Sequence, residues 1–327
     1  MPFLVLLLLL GLTGTGLAQT SEPIHYTITQ PAGVSLTLDG TLTLPANTTG
    51  PVPVVLLIAG SGPTDRDSNS PVPVGGKPVQ GSPFRLLADS LARQGVAVAR
   101  YDKRGSGTNR RATITTLKQE DGRFDQFVGD AVGFIRQLRA DKRFSRVVVA
   151  GHSEGSLVGM LAATQTNADA FVSLAGPGHN IADVLKLQLA RLPESQRDRA
   201  YRDLDSLRAG QTVHEPPVFA MALFSPSTQP YMMSWMKYDP AVEIMKFRGP
   251  VLLINGKRDL QSGVAEADAL KAARPDARLV LYPNMTHMLK DAAGESTDDN
   301  FKTYHDISLP LTPGLATTIV QFVKENR

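Results

Sequence analysis

The residues best suited to chemistry in this sequence are Ser153, Asp259 and His287. A serine hydroxyl barely attacks anything at neutral pH, so it needs a base to take its proton, and the base needs a group that orients it. Ser153 stands in Gly151-His152-Ser153-Glu154-Gly155. In that G-x-S-x-G spacing the two glycines let the backbone turn sharply from a strand into a helix, so the serine hydroxyl projects outward. Asp259 ends the loop Asn255-Gly256-Lys257-Arg258-Asp259, and His287 lies in Pro283-Asn284-Met285-Thr286-His287-Met288. Each signal taken singly is weak, because a loop aspartate is usually solvated and a histidine usually belongs to surface or core. The order serine, acid, histidine, each after its own strand, makes them a set whose chemistry is acyl transfer through an acyl-enzyme. A developing oxyanion needs backbone donors, and the spacing offers the N–H of Glu154 at a helix start and of Ser61 in Ala59-Gly60-Ser61-Gly62. The Ser61 hydroxyl either assists or only caps a turn. Among other histidines, His152 must point away from Ser153, His25, His179 and His214 precede or interrupt the pattern, and only His305 follows the acid, in a polar stretch past the last strand.

Such loops need rigid elements behind them. Val147 to Val149 read as a buried parallel strand leading into the turn, and Val52 to Ile58, Val96 to Arg100, Ala170 to Leu174, Val251 to Ile254 and Arg278 to Tyr282 read the same way. Between them lie helical patterns: one opened by an N-cap at Ser82 and Pro83, one carrying Phe124, Phe127, Val128, Ala131, Ile135 and Leu138, and a last one over Leu315 to Val323. Alternating strand and helix predict an α/β fold, a mostly parallel sheet covered on both faces. Ile24 to Leu44 alternates as antiparallel strands, with Asp39-Gly40 as a turn or bulge signal. A long Pro/Gly/Ser/Asp loop is expected after Ile58, up to Ser82. In it Asp65, Arg66 and Asp67 either line a pocket mouth or, as the safer reading, form loop-stabilising ion pairs. Asp102 and Arg104 read as an anchor beneath the site. The stretch from Gly176 to Arg248 shows helical spacing and no strand, so a helical cap is expected between two sheet strands. Its Met221, Met232, Met233, Trp235 and Met236 either form an adaptable apolar surface for a substrate or fasten the cap to the core. The expected organisation is residues 1–18 as signal peptide, 19–50 as N-terminal β extension, 51–176 and 249–327 as core, and 177–248 as cap.

Composition narrows the function classes. The 327 residues are 42% hydrophobic and 20% charged, which is globular, and Lys plus Arg exceed Asp plus Glu only by 34 to 31. There is no basic stripe interleaved with aromatics, so no nucleic-acid partner is expected. Gly105-Ser106-Gly107 lacks the third glycine of a dinucleotide cradle, and neither a P-loop nor an H-E-x-x-H motif occurs, so no cofactor and no metal are expected. The sequence has no cysteine, which excludes disulfides, thiolate catalysis and a lipid-anchored cysteine. The apolar run Phe3 to Leu12, followed by small residues and a cleavage point after Ala18, predicts a secretory signal too short for a comfortable membrane span, although its n-region carries no Lys or Arg. The mature chain is then expected outside the cytoplasm, secreted or periplasmic, without a stable membrane span.

Taken in order, Ala59 to Asp67 (AGSGPTDRD), Tyr101 to Gly107 (YDKRGSG), GHSEG, Ala175 to Gly178 (AGPG), Tyr238 to Pro240 (YDP), Asn255 to Asp259 (NGKRD) and Asn284 to Lys290 (NMTHMLK) resemble bacterial α/β-hydrolase esterases with a helical cap. The wider group includes serine aminopeptidase- and lysophospholipase-like members. The resemblance runs from about Leu36 to the C-terminus. It implies an α/β-hydrolase fold, Ser153, Asp259 and His287 as a catalytic triad, and short acyl esters as small-molecule substrates. Many hydrolases carry a histidine before the oxyanion glycine; Ala59 stands there, so that part of the hole relies on main chain. The expectation is a secreted carboxylic ester hydrolase. Its alternatives are hydrolysis of a thioester, lactone or short peptide amide, and a binding protein that keeps the fold without turnover.

Overall fold

The structure, a computed structural model, describes residues 19–325 apart from 30–32, 34, 47, 119 and 120; the expected signal peptide lies outside the described residues. In chain order the elements are β1 (Thr20–Thr29), β2 (Ser35–Leu44), β3 (Val52–Ile58), β4 (Ser70–Val74), β5 (Lys77–Val79), α1 (Pro83–Arg93), β6 (Ala97–Tyr101), α2 (Arg110–Thr116), α3 (Phe124–Ala140), β7 (Phe144–His152), α4 (Glu154–Thr166) and β8 (Ala170–Leu174). There follow α5 (Ile181–Leu189), α6 (Glu194–Arg208), α7 (Met221–Phe224), α8 (Gln229–Trp235), α9 (Pro240–Ile244), β9 (Val251–Gly256), α10 (Val264–Ala273), β10 (Arg278–Tyr282), α11 (Thr297–His305) and α12 (Leu315–Glu325). The large sheet has the order β1-β2-β6-β3-β7-β8-β9-β10. From β6 to β10 its strands are parallel, and the β1–β2 ribbon joins antiparallel at the β6 edge.

The period of two along each central strand explains the two cores. Val54, Leu56 and Ile58 of β3, with Val147 and Val149 of β7, face α3 and α4 on one side. Val55, Leu57, Val148 and Ala150 face α1 and α12 on the other. A strand apolar on both faces is stable only between two helical layers, and each fully buried Val, Leu or Ile contributes roughly 1.5–3 kcal/mol. The sheet's C-terminal ends are thereby held rigid, and the candidate loops all leave from those ends.

Between β8 and β9 the described residues form helices joined by loops, with no strand. Leu204, Phe224, Met232, Trp235 and Met236 join the α3–α4 core cluster, and Trp235 stacks on Phe124 at 5.5 Å. Met232, Trp235 and Met236 therefore fasten this insertion to the core, whereas Met221 is exposed. No helix among the described residues is long and apolar enough to cross a membrane.

Three local expectations are corrected. Asp39-Gly40 makes neither a turn nor a bulge but lies inside β2 in unbroken register with β1, where a Cβ on Gly40 would come within 2.7 Å of the Arg100 carbonyl oxygen: the glycine serves strand packing. Ser82 does not cap α1 with its side chain; it sits in the left-handed region at φ 47°, and its hydroxyl donates to Asn69 Oδ1 at 3.1 Å. The expected loop from Ile58 to Ser82 contains the β4–β5 hairpin, which the prolines at 71, 73 and 78 hide from a propensity reading by removing N–H donors.

Candidate active site

Ser153 follows the last residue of β7 and precedes the first of α4, with φ 55° and ψ −124°. A side chain there is strained, and the strain persists only because both neighbouring elements fix it. The flanking glycines do this fixing. A Cβ on Gly151 would meet the Gly155 carbonyl oxygen at 1.9 Å, and one on Gly155 would meet that of Ile58 at 2.2 Å. Strand, turn and helix thus approach more closely than any larger residue permits. The Ser153 amide donates to Leu174 O at 3.0 Å, tying the turn to the end of β8.

The acid and base loops leave β9 and β10. They are sewn together by backbone bonds, Lys257 N to Tyr282 O at 2.9 Å and Arg258 N to Met285 O at 3.2 Å. Asp259 and His287 are both buried, and His287 Nδ1 lies 2.7 Å from Asp259 Oδ2. A carboxylate can only accept, so Nδ1 carries the hydrogen and Nε2 is left as the basic nitrogen. Asp259 Oδ1 accepts from the amides of Gln261 and Ser262, both at 2.8 Å, so the carboxylate cannot swing away from the ring. The Ser153 hydroxyl makes no hydrogen bond among the described residues; in free enzymes such contacts are often long and close when substrate binds.

Beside Ser153 runs the loop after β3. A Cβ on Gly60 would come within 3.2 Å of Ser153 Cβ, so the Gly60–Ser61 peptide lies alongside the elbow. Among the described residues neither the Ser61 nor the Glu154 N–H donates a hydrogen bond. The loop is clamped from below: Arg66 pairs with Asp102 at 2.7 Å and Asp67 with Arg100 at 2.8 Å. Asp65 Oδ1 caps the Asp67 and Asn69 amides at 2.9 and 2.8 Å. Burial acts to raise the Asp102 pKa, but Arg66 and the Thr108 amide outweigh it and hold the carboxyl below its ordinary range. The loop-stabilising reading of Asp65, Arg66 and Asp67 therefore fits, and Asp102 anchors from beneath. Arg104 anchors α3 instead, through Asp130 at 2.6 Å. His305 bonds to Pro78 O at 2.9 Å rather than to Asp259.

Two residues with clear parts to play were not found from sequence. His152 points away from Ser153, as the turn requires, but its Nε2 reaches the His287 carbonyl oxygen at 2.7 Å and its ring lies 4.5 Å from the His287 ring. A carbonyl only accepts, so His152 donates through Nε2, and burial keeps the ring neutral. Burial, then the facing His287 ring, lower its pKa to about 3. Lys103, fully buried, donates to the Gly60 carbonyl oxygen and lies 3.1 Å from Glu154 Oε1. Neither role has a sequence signature: each depends on where a neighbouring loop carries a backbone carbonyl.

The strand order, with a strained serine between its central strand and the following helix, is that of the α/β-hydrolase fold. Est1E from Butyrivibrio proteoclasticus, solved with ferulic acid bound, superposes with a TM-score of 0.55 at 16% identity over 92% of this chain and 96% of that one. The proline iminopeptidase of Mycobacterium smegmatis superposes with a TM-score of 0.57 at 15% identity over 93% and 98%. Residues 81–291 match the family model described as serine aminopeptidase, S33. The chain belongs to the serine aminopeptidase S33 family. Among its relatives is Esterase EstD of Thermotoga maritima, 29% identical over 269 residues, which are 80% of this chain and 60% of that one. The chain thus spans about 60% of that relative's length.

Proposed function

We propose that the protein is a serine hydrolase of carboxylic esters, with short acyl chains as the preferred class. What supports the reading is the strained Ser153 at the head of α4 together with the buried 2.7 Å Asp259–His287 pair, with the Ser61 and Glu154 amides donating to nothing among the described residues. Esterase EstD supports esters as the bond cleaved.

In the proposed reaction Ser153 Oγ attacks the ester carbonyl carbon as His287 Nε2 takes its proton. The Ser61 and Glu154 amides receive the oxyanion, and Asp259 stabilises the imidazolium. Collapse breaks the bond to the alcohol oxygen, which leaves with the proton from Nε2. Water, deprotonated by the same nitrogen, then attacks the acyl-enzyme and releases the acid, restoring Ser153. Removing the nucleophile alone should cost at least ~10⁴-fold in turnover. Ser153→Ala is therefore expected to lose p-nitrophenyl acetate hydrolysis and labelling by a fluorophosphonate; retention of either at near wild-type level refutes the assignment.

The family's description favours one second reading, cleavage of a short peptide amide. Amide bonds demand full protonation of a poor leaving group, so matched p-nitrophenyl esters and aminoacyl p-nitroanilides separate the two. We also propose export by way of residues 1–18, on the strength of the Phe3 to Leu12 run and the small residues up to Ala18. N-terminal sequencing of exported protein should begin near Gln19; an intact Met1 overturns it.

A further inference from the structure

One buried ion pair of the molecule is left unused by the reaction scheme. Lys103 and Glu154 have side chains each 1% exposed and 3.1 Å apart, beneath the elbow. Burying two opposite charges costs several kcal/mol per ion before their attraction is counted, and a well-packed apolar pair is often as stable or more so. Fold stability therefore gives no reason for an ion pair here. Its geometry does. Besides Glu154 Oε1, the Lys103 ammonium donates to the Gly60 carbonyl oxygen and lies 5.3 Å from the centre of the Phe127 ring. The other carboxylate oxygen, Glu154 Oε2, accepts from the Tyr231 hydroxyl at 2.6 Å. Burial, then the adjoining Glu154 charge, raise the Tyr231 pKa well above its ordinary value, so that hydroxyl remains a donor.

One partner of Lys103 is the carbonyl of the Gly60–Ser61 peptide, whose N–H is a candidate oxyanion donor, and the other is the side chain of Glu154, whose own N–H is the second. In a trans peptide the carbonyl and the next N–H point to opposite sides. An ammonium holding Gly60 O on one side thereby aims the Ser61 N–H to the other, and Gly60 itself packs against Ser153. The second amide belongs to Glu154, whose side chain the same ammonium holds. We propose that Lys103 is the positioning residue of the oxyanion hole, orienting the Ser61 peptide through Gly60 O and the head of α4 through the Glu154 carboxylate, with Tyr231 of α8 completing the set. The inference rests on the ester-hydrolase reading above. Because Glu154 neutralises the cation, the effect is one of orientation, with little net field at the oxyanion. The hydrogen bond at Gly60 O also polarises that peptide and strengthens its N–H as a donor. The inserted segment takes part through Tyr231, which ties α8 to the residue after the nucleophile.

The test is Lys103→Met, beside Lys103→Met/Glu154→Gln, which removes both charges and so does not strand a buried carboxylate. Turnover of p-nitrophenyl acetate, inhibition by a trifluoromethyl ketone analogue of the tetrahedral intermediate, and thermal midpoint are measured on each. Loss of one oriented donor lowers kcat by ~10²–10³-fold. We expect kcat and kcat/KM to fall together by that factor in both variants, since a contact made only in the transition state is lost. The ketone should weaken in proportion. The double variant should recover thermal stability without recovering rate. Lys103→Met keeping kcat within about threefold, or the double variant regaining rate along with stability, overturns the proposal, the latter by tracing the defect to the unpaired carboxylate. Wild-type protein that neither turns over the ester nor reacts with a fluorophosphonate refutes the ester-hydrolase reading and this one with it. Active wild-type protein with an unimpaired Lys103→Met refutes this one alone.

Discussion

His152 should make the folded protein sensitive to acid in a way that a single substitution removes. Its folded-state pKa lies near 3, against an ordinary value of 6.5, because burial and then the facing His287 ring and the Lys103 charge disfavour the imidazolium. The sign follows from proton counting. Between those two values the unfolded chain binds a proton at this position and the folded chain does not, so stability falls as pH falls through the window. Each unit of that window corresponds to about 1.4 kcal/mol, which gives a loss of about 2.7 kcal/mol between about pH 8 and pH 4.5. The perturbation is His152→Gln, whose amide can still donate to His287 O but does not titrate. Any packing lost against Phe84, whose ring lies edge-on 6.0 Å away, lowers stability equally at every pH. The slope is therefore the observable, not the height. Urea denaturation of wild type and variant across this range should give free-energy curves that converge by about 2.7 kcal/mol toward the acid end. Other carboxylates and histidines titrate in both proteins and cancel. Curves that stay parallel would mean that His152 is protonated in the folded state, and the assignment of a neutral donor to His287 O would be wrong.

Asp259→Asn should fold normally and lose ~10⁴-fold in ester turnover, because an amide can donate to His287 Nδ1 and so favours the wrong tautomer; turnover within tenfold of wild type would remove Asp259 from the proposed triad. Gly151→Ala puts a Cβ 1.9 Å from the Gly155 carbonyl oxygen, so β7 and α4 must separate. The cost should be ~3 kcal/mol or more, seen as a lowered thermal midpoint or loss of soluble protein, and an unchanged midpoint would contradict the packing described. Arg104→Met leaves the Asp130 carboxyl buried without the guanidinium that holds it at 2.6 and 2.7 Å. Chemical denaturation should show ~3–5 kcal/mol lost, with most of it regained when Asp130 is made apolar as well.

The features legible in the sequence were those with a period or a spacing of their own. Val54 to Ile58 and Val147 to Val149 are apolar on both faces, and α3 repeats its apolar residues at helical intervals, so the sheet and its cover could be read directly. The elbow was legible because a close approach of backbones admits only glycine at Gly151 and Gly155. Illegible features depend on three-dimensional neighbours. Lys103 has no pattern of its own in the sequence, and its part is set by the Gly60 carbonyl and the Glu154 carboxylate around it. The same blindness misplaced Gly40, where the demand for a small residue comes from β6 across the sheet and not from the chain's own bend. Ser82 carries the residue type of a helix cap, yet Asn69 claims both its amide and its hydroxyl.

The antiparallel β1–β2 ribbon has a consequence for handling the protein. β1 pairs along the whole length of β2 and lays Tyr26 against Phe134 of α3, with ring centres 5.6 Å apart. A chain shortened to begin after Thr29 would bare ten residues of β2 as an open template and uncover that aromatic contact. Exposed strand margins of this kind recruit other copies, so such a truncation should associate into aggregates long before its central layers melt.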